Sequence, residues 1–137
     1  RDQPRSRGLG DVYKRQPKGI IRYPNLRVEV SDDDGRNEFF YGTTHRKAKI
    51  YAGKIDENIV QHLARCVIAD NALEIRRVAD LKPALMVHDE LVYVVPADQA
   101  QETLDVVQKI MRTPPTWWPE LLTWSEGAIA DTYGDAK

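Results

Sequence analysis

The stretch LMVHDELVYVV, residues 85–95, places three ionisable side chains inside a run of strand-forming residues. The apolar and β-branched residues on both sides predict two short strands, 84–88 and 90–95, joined by a tight turn. The strands would anchor the hairpin in a sheet. The tip would then hold two adjacent carboxylates and a histidine at fixed positions in a cleft.

The residues at this tip, His88, Asp89 and Glu90, are suited to a hard divalent cation. Adjacent carboxylates repel each other unless a cation neutralises them. Mg²⁺ prefers such oxygen ligands, keeps several waters and takes its remaining ligands from phosphates. The turn therefore indicates a metal site for phosphoryl chemistry. A surface turn with polar residues explains the same string equally well, so the hairpin alone leaves both interpretations open.

The composition fits one soluble globular domain. The chain has 137 residues, of which 42% are hydrophobic and 30% charged, with a net charge of -1. This balance gives no overall field that would indicate a nucleic-acid partner. The single cysteine, Cys66, excludes an internal disulfide and fits a reducing compartment. No apolar run approaches the roughly 18 residues that a membrane span needs.

The first sixteen residues, RDQPRSRGLGDVYKRQ, show no hydrophobic periodicity and lack an initiator Met. They resemble translated adapter sequence, so residues 1–16 are expected to be a non-native tail that takes no part in the fold. A basic arm that grips phosphates is the alternative. The fold is therefore expected within residues 17–137.

The remaining pattern predicts an α+β fold. It indicates a hairpin over 26–41, a short basic strand within 45–54 and two amphipathic helices, 55–78 and 97–112. We expect an antiparallel sheet built around the 85–95 hairpin, with both helices packed on one face. The first helix also carries a polar face that either reads a ligand or is simply solvated; its members are Asn58, Gln61 and Arg65.

The string VHDE, between an apolar run and LVYVV, resembles motif C of the family A DNA polymerases, the DNA polymerase I type. The segment KIYAGKIDENIVQHLAR, residues 49–65, is similar to phage-type members of that family, and the 20–41 hairpin is similar to an insertion in the same subgroup. RTPPTWWPELL and SEGAIADTYG are similar to the family's C-terminal end. The resemblance covers about residues 17–137.

The resemblance implies an antiparallel palm sheet and two-metal nucleotidyl transfer with Mg²⁺. Asp89 would bind both catalytic metals, Glu90 would support the metal site, and His88 would lie near the primer terminus. The partners would be template–primer DNA and deoxynucleoside triphosphates, with no membrane involved. The protein would act in the cytoplasm of a bacterium or a phage-infected cell.

The resemblance also implies two sets of DNA contacts. The polar side of the first helix would face the template–primer minor groove, through Glu57 or Asn58 with Gln61 and Arg65. Lysines would meet phosphates, since such contacts position the duplex without reading its sequence. These lysines are Lys47, Lys49 and Lys54.

Two parts of the family pattern are missing from this sequence. They are the second palm aspartate of motif A and the Lys-, Arg- and Tyr-bearing fingers helix of motif B. The chain is therefore expected to be a truncated domain, the C-terminal part of the fingers and palm, and inactive by itself. Two alternatives remain: another metal-dependent phosphodiesterase, for which only His45 and His62 would be further histidine ligands, or a non-catalytic nucleic-acid-binding module.

Overall fold

The structure is a computed structural model. It describes residues 7–16 (backbone only), 19–31, 35–43 and 45–136. These residues form six strands and two α-helices, which confirms the predicted α+β class. The chain divides into two compact units, Arg1–Leu63 and Ala64–Lys137.

The first unit holds a four-stranded antiparallel sheet with the order β1-β2-β3-β4. Its strands are β1 (Arg7–Gln16), β2 (Gly19–Val30), β3 (Asn37–Thr43) and β4 (Arg46–Ile50). The predicted 26–41 hairpin is confirmed, because β2 pairs with β3 and Val30 lies opposite Asn37. The predicted short strand within 45–54 is also confirmed as β4.

Residues 7–16 form a strand although they were expected to take no part in the fold. β1 pairs with β2 from Arg7 opposite Val28 to Gln16 opposite Gly19, with two irregularities in register. Strand pairing uses backbone N–H and C=O groups, which every non-proline residue offers whatever its side chain. The expectation was therefore wrong for these residues, while their origin stays a prediction and residues 1–6 lie outside the described part.

The first helix, α1 (Ala52–Ala79), begins three residues before the predicted bound of 55. Its first part packs on the sheet of the first unit. The Asn58 amide donates a hydrogen bond of 3.2 Å to the hydroxyl of Tyr23, whose side chain is buried and meets the Tyr41 ring edge-on. A Cβ added to Gly19 would lie 3.0 Å from the His62 ring. A side chain at Gly19 would therefore require the His62 ring to shift by a few tenths of an ångström.

The C-terminus of α1 has three signals that end a helix. Asp80 follows the last helical residue with a φ of 57°, the left-handed conformation common at that position. Arg76 donates to the Asp80 carbonyl at 2.6 Å and pairs with its carboxylate at 3.0 Å. Arg76 and Arg77 both lie in the last turn, where a cation interacts favourably with the helix dipole.

The second unit contains the quoted hairpin, as β5 (Leu85–Val87) and β6 (Glu90–Val92). The two strands form a separate two-stranded sheet, so the expectation of one sheet built around this hairpin is wrong for the described residues. Both strands are shorter than predicted. The last backbone bond of the hairpin joins the Ala84 N–H to the Val92 carbonyl at 2.7 Å, and Tyr93–Val95 lie beyond it.

The rest of the second unit packs around the C-terminal part of α1. A short 3₁₀ turn, Ala97–Gln99, leads into α2 (Ala100–Met111), close to the predicted helix 97–112. Ile75 of α1 is fully buried and Val107 of α2 is nearly so. No helix within the described ranges is long and apolar enough to cross a membrane.

Candidate functional site: an acidic hairpin at the wall of a cleft

The hairpin turn has a specific backbone conformation. Val87 pairs with Glu90, so His88 and Asp89 form a two-residue loop. His88 has a φ of 52°, and Asp89 is not among the residues with positive φ. Positive φ at the first loop residue alone is the pattern of a type II′ turn, where glycine is usual. A non-glycine residue held there costs roughly 1–3 kcal/mol, and such strain clusters at functional sites.

Asp89 and Glu90 lie at the wall of a cleft of about 450 Å³ in the second unit. Both side chains are exposed to solvent. The other walls come from α1, from the end of α2 and from the segment that follows it. Their residues are Val67, Ile68, Asn71, Met111, Leu122, Thr123, Trp124, Ser125 and Glu126. Both carboxylates thus line this cleft, and their roles as site residues stay predictions.

Tyr133 is a site residue that the sequence did not predict. Its hydroxyl donates a hydrogen bond of 2.7 Å to Oε2 of Glu90. The contact orients one of the two carboxylates while leaving the side chain exposed. The two residues are 43 positions apart, so no spacing pattern could reveal the pair. The resemblance of SEGAIADTYG to a polymerase C-terminus was the one signal pointing to this segment.

Whether the hairpin holds a magnesium ion stays a prediction. Asp89 and Glu90 offer the hard oxygen ligands that Mg²⁺ prefers. Within the described residues, however, no group of three His, Cys, Asp or Glu side chains is close enough to hold a metal. His45 and His62 are thus in no such group among the described residues, and the phosphodiesterase alternative stays a prediction.

The residues expected to meet DNA from α1 do not share one environment. Asn58 is half-buried against Tyr23, so it is not part of an open polar face. Glu57 is exposed and accepts hydrogen bonds from Gln61 at 3.1 Å and from Lys54 at 2.8 and 2.9 Å. The Glu57 carboxylate beside Lys54 raises the pKa of that ammonium.

The remaining predicted contact on α1, Arg65, is exposed and belongs to the second unit. Its role toward DNA stays a prediction.

The lysines expected to meet phosphates on β4 are already paired with carboxylates. Lys47 bonds Glu29 at 2.8 Å and lies 4.6 Å from the centre of the Phe40 ring. Lys49 pairs with Glu38 on the neighbouring strand. The basic segment predicted from sequence is therefore neutralised locally, and its phosphate contacts stay a prediction.

These features describe an α+β protein with a strained acidic hairpin at the wall of a cleft, an arrangement suited to a divalent cation. The chain is 30% identical over 130 residues to a DNA polymerase of Bacillus phage SP02. The match covers 90% of this chain and 20% of that polymerase, so the chain spans about a fifth of its relative's length. No protein-family model matches the chain. No solved structure matches it either.

Proposed function

We propose that this chain is part of a DNA-directed DNA polymerase of family A, the DNA polymerase I type, phage-like subgroup. The observation that carries the proposal is the 30% identity to a phage DNA polymerase along 90% of the chain. The VHDE hairpin also supports it, since it resembles motif C of that family and lies at a cleft wall. In this proposal the chain contributes the C-terminal part of the fingers and palm.

The chemistry assigned to the hairpin is template-directed nucleotidyl transfer. Two Mg²⁺ ions, when bound, would lower the pKa of the primer 3′ hydroxyl and stabilise the charge on the leaving pyrophosphate. Asp89 would supply a carboxylate to both ions, and Glu90 would supply one held in orientation by Tyr133. His88 would steady the primer terminus, as the resemblance implies; it lies next to Asp89 in the two-residue loop.

The substrates in this proposal are template–primer DNA and deoxynucleoside triphosphates. Lys47, Lys49 and Lys54 would exchange their carboxylate partners for phosphates when DNA binds. Because each lysine already forms an ion pair, the gain from such an exchange is small. The proposal therefore assigns these lysines a positioning role and assigns the reaction itself to the hairpin.

The isolated 137-residue chain is proposed to be inactive, because the hairpin offers only part of a two-metal site. The direct test is a chimera in which this chain replaces the matching region of the phage SP02 polymerase. Primer extension with Mg²⁺ and deoxynucleotides is then measured for the chimera and for the isolated chain. We expect synthesis by the chimera and none by the isolated chain.

Two variants of the chimera decide the role of the hairpin. Asp89→Asn should lower the rate about a thousandfold or more, because a metal ligand contributes several kcal/mol to the transition state. Asp98→Asn is the matched control, since Asp98 is an exposed aspartate of the 3₁₀ turn outside the cleft wall. Equal rates for the two variants would contradict the assignment of Asp89.

A further inference from the structure

Trp124 is an unusual element of the cleft wall. Its side chain is 75% exposed, and it lines the same cleft as Asp89 and Glu90. Trp117, by contrast, is half-buried, and its indole N–H donates a hydrogen bond of 2.7 Å to Asp70.

One face of the Trp124 ring is covered by a cation. The Arg112 guanidinium lies 4.3 Å from the ring centre. It is held there by two hydrogen bonds to the Ser125 carbonyl, from Nε at 3.0 Å and from Nη2 at 2.6 Å. A guanidinium fixed in this way holds the indole in one orientation, and the exposure of the ring leaves its other face open.

The residues on either side of Trp124 add polar groups without partners. The hydroxyls of Thr123 and Ser125 are buried and have no hydrogen-bond partner among the described residues, and Ser125 is only 8% exposed. Both residues line the cleft. Buried polar groups are nearly always paired in folded proteins. The wall around Trp124 therefore contains two unsatisfied hydroxyls, which are closed to solvent in this structure.

We propose that Trp124, backed by Arg112, is a stacking platform for a nucleobase of single-stranded DNA beside Asp89 and Glu90. A nucleobase is a flat, uncharged ring, which matches an exposed indole whose orientation is fixed by Arg112. The cleft volume of about 450 Å³ lies within the 300–1,000 Å³ range of small-ligand sites. The choice of DNA as the source of the base rests on the proposed function.

The negative charge of the cleft wall predicts a separate effect of divalent cations on binding. Asp89, Glu90 and Glu126 all line the cleft and repel phosphate groups. Stacking of the uncharged base on Trp124 does not itself require a divalent cation, but the neighbouring phosphates weaken binding when none is present. Mg²⁺ should strengthen binding further by screening the carboxylates from the phosphates, and that gain should depend on Asp89.

The test measures binding of a short fluorescein-labelled oligodeoxynucleotide to the full chain by fluorescence anisotropy, with and without Mg²⁺. Trp124→Leu should weaken binding roughly ten- to hundredfold, the usual loss when an aromatic stacking partner is removed. Trp124→Phe should retain most of the affinity. Trp118→Leu is the matched control, because Trp118 is 39% exposed and does not line the cleft.

A second measurement covers the case in which Trp124→Leu fails to fold. Unlabelled dinucleotide should quench the tryptophan fluorescence of the natural chain and of Trp118→Phe, but not that of Trp124→Phe. Equal affinities for Trp124→Leu and Trp118→Leu, equal quenching in the two Phe variants, or no oligonucleotide binding at all would overturn the proposal. Self-association that Trp124→Leu abolishes, without an effect on DNA, would overturn it too.

The same experiment separates this inference from the proposed function. Base binding that depends on Trp124 but gains nothing from Mg²⁺ would support the platform and count against the metal role of Asp89. A Mg²⁺ effect that Asp89→Asn removes, with no dependence on Trp124, would support the metal role and refute the platform.

Discussion

The charged residues of the two units differ in how they are paired. On the sheet of the first unit, Glu29 accepts hydrogen bonds at 2.8 Å from both Arg27 and Lys47. Lys49 pairs with Glu38. Lys47 and Lys49 are two residues apart on β4, so their side chains lie on the same face of the sheet. These charges compensate one another, which is what a solvated structural surface requires.

The hairpin of the second unit lacks this compensation. Glu90 accepts a hydrogen bond from the neutral hydroxyl of Tyr133. No described side chain forms an ion pair with Asp89. Two neighbouring carboxylates without a cation repel each other, and the turn beside them is strained at His88. The comparison shows that the carboxylates of the hairpin, unlike those of the sheet, have no described cationic partner.

The largest effect on stability is expected in the core that supports the hairpin's unit. Ile75 is fully buried, so Ile75→Ala should lower the free energy of unfolding by about 2–5 kcal/mol. Val78→Ala is the control on the same helix, because Val78 is 54% exposed and should change stability by less than about 0.5 kcal/mol. Urea unfolding followed by circular dichroism measures both. Similar losses would show that α1 is not packed as described.

A smaller effect of opposite sign is expected at Tyr93, which lies just after β6. Its hydroxyl is buried without a hydrogen-bond partner among the described residues. Tyr93→Phe removes that unpaired group and should raise the free energy of unfolding by about 1 kcal/mol. Tyr133→Phe is the contrasting variant, because it deletes a hydroxyl that bonds Glu90 and should bring no gain.

The same tyrosine gives a pH dependence with a defined sign. Burial raises the pKa of Tyr93 above its ordinary value of 10.0. The neutral phenol therefore contributes stability that is fully present below pH 10 and is lost as the pH rises through the folded-state pKa. The natural chain should lose more stability than Tyr93→Phe in this alkaline range. Identical alkaline profiles would contradict the burial of the hydroxyl.

The smallest effect is expected at the ion pairs of the first unit. Hydrogen bonds from Lys47 and then Arg27 hold the pKa of Glu29 below its ordinary value of 4.5. The ionised carboxylate therefore contributes stability above pH 4.5, and this is lost as the pH falls through the lowered pKa. Glu29→Gln should flatten the acid side of the stability profile slightly. Lys47→Met should remove much of the same dependence of stability on acid pH. A pH profile of stability that is unchanged in both variants would contradict the ion pairing of Glu29.

The sequence predicted the elements with a clear period and clear ends. The helices near 55–78 and 97–112 follow from apolar residues at helical spacing, and Arg76 and Arg77 marked the end of the first. The quoted hairpin and its acidic tip also follow from local pattern. Each of these signals lies within one continuous segment, so no tertiary contact was needed to recognise it.

The features that were missed depend on residues distant in sequence. Lys47 and Glu29 are 18 positions apart, and Tyr133 and Glu90 are 43 apart. Only strand register and chain reversal bring such pairs together. Strand β1 was missed because its residues lack hydrophobic periodicity, whereas strand pairing uses backbone groups that every non-proline residue offers. The separation of the hairpin from the larger sheet was missed because two short strands carry no information about their neighbours.

The most direct test of the central claim is where a divalent cation binds on the full chain. Mn²⁺ is titrated into ¹⁵N-labelled protein, and paramagnetic broadening of the backbone amide signals is recorded for the natural chain, Asp89→Asn and Glu29→Gln. The account predicts that signals of residues 87–91 broaden in the natural chain and in Glu29→Gln, and that Asp89→Asn removes this broadening. Broadening at the hairpin that persists in Asp89→Asn, or no broadening at 87–91, would contradict it.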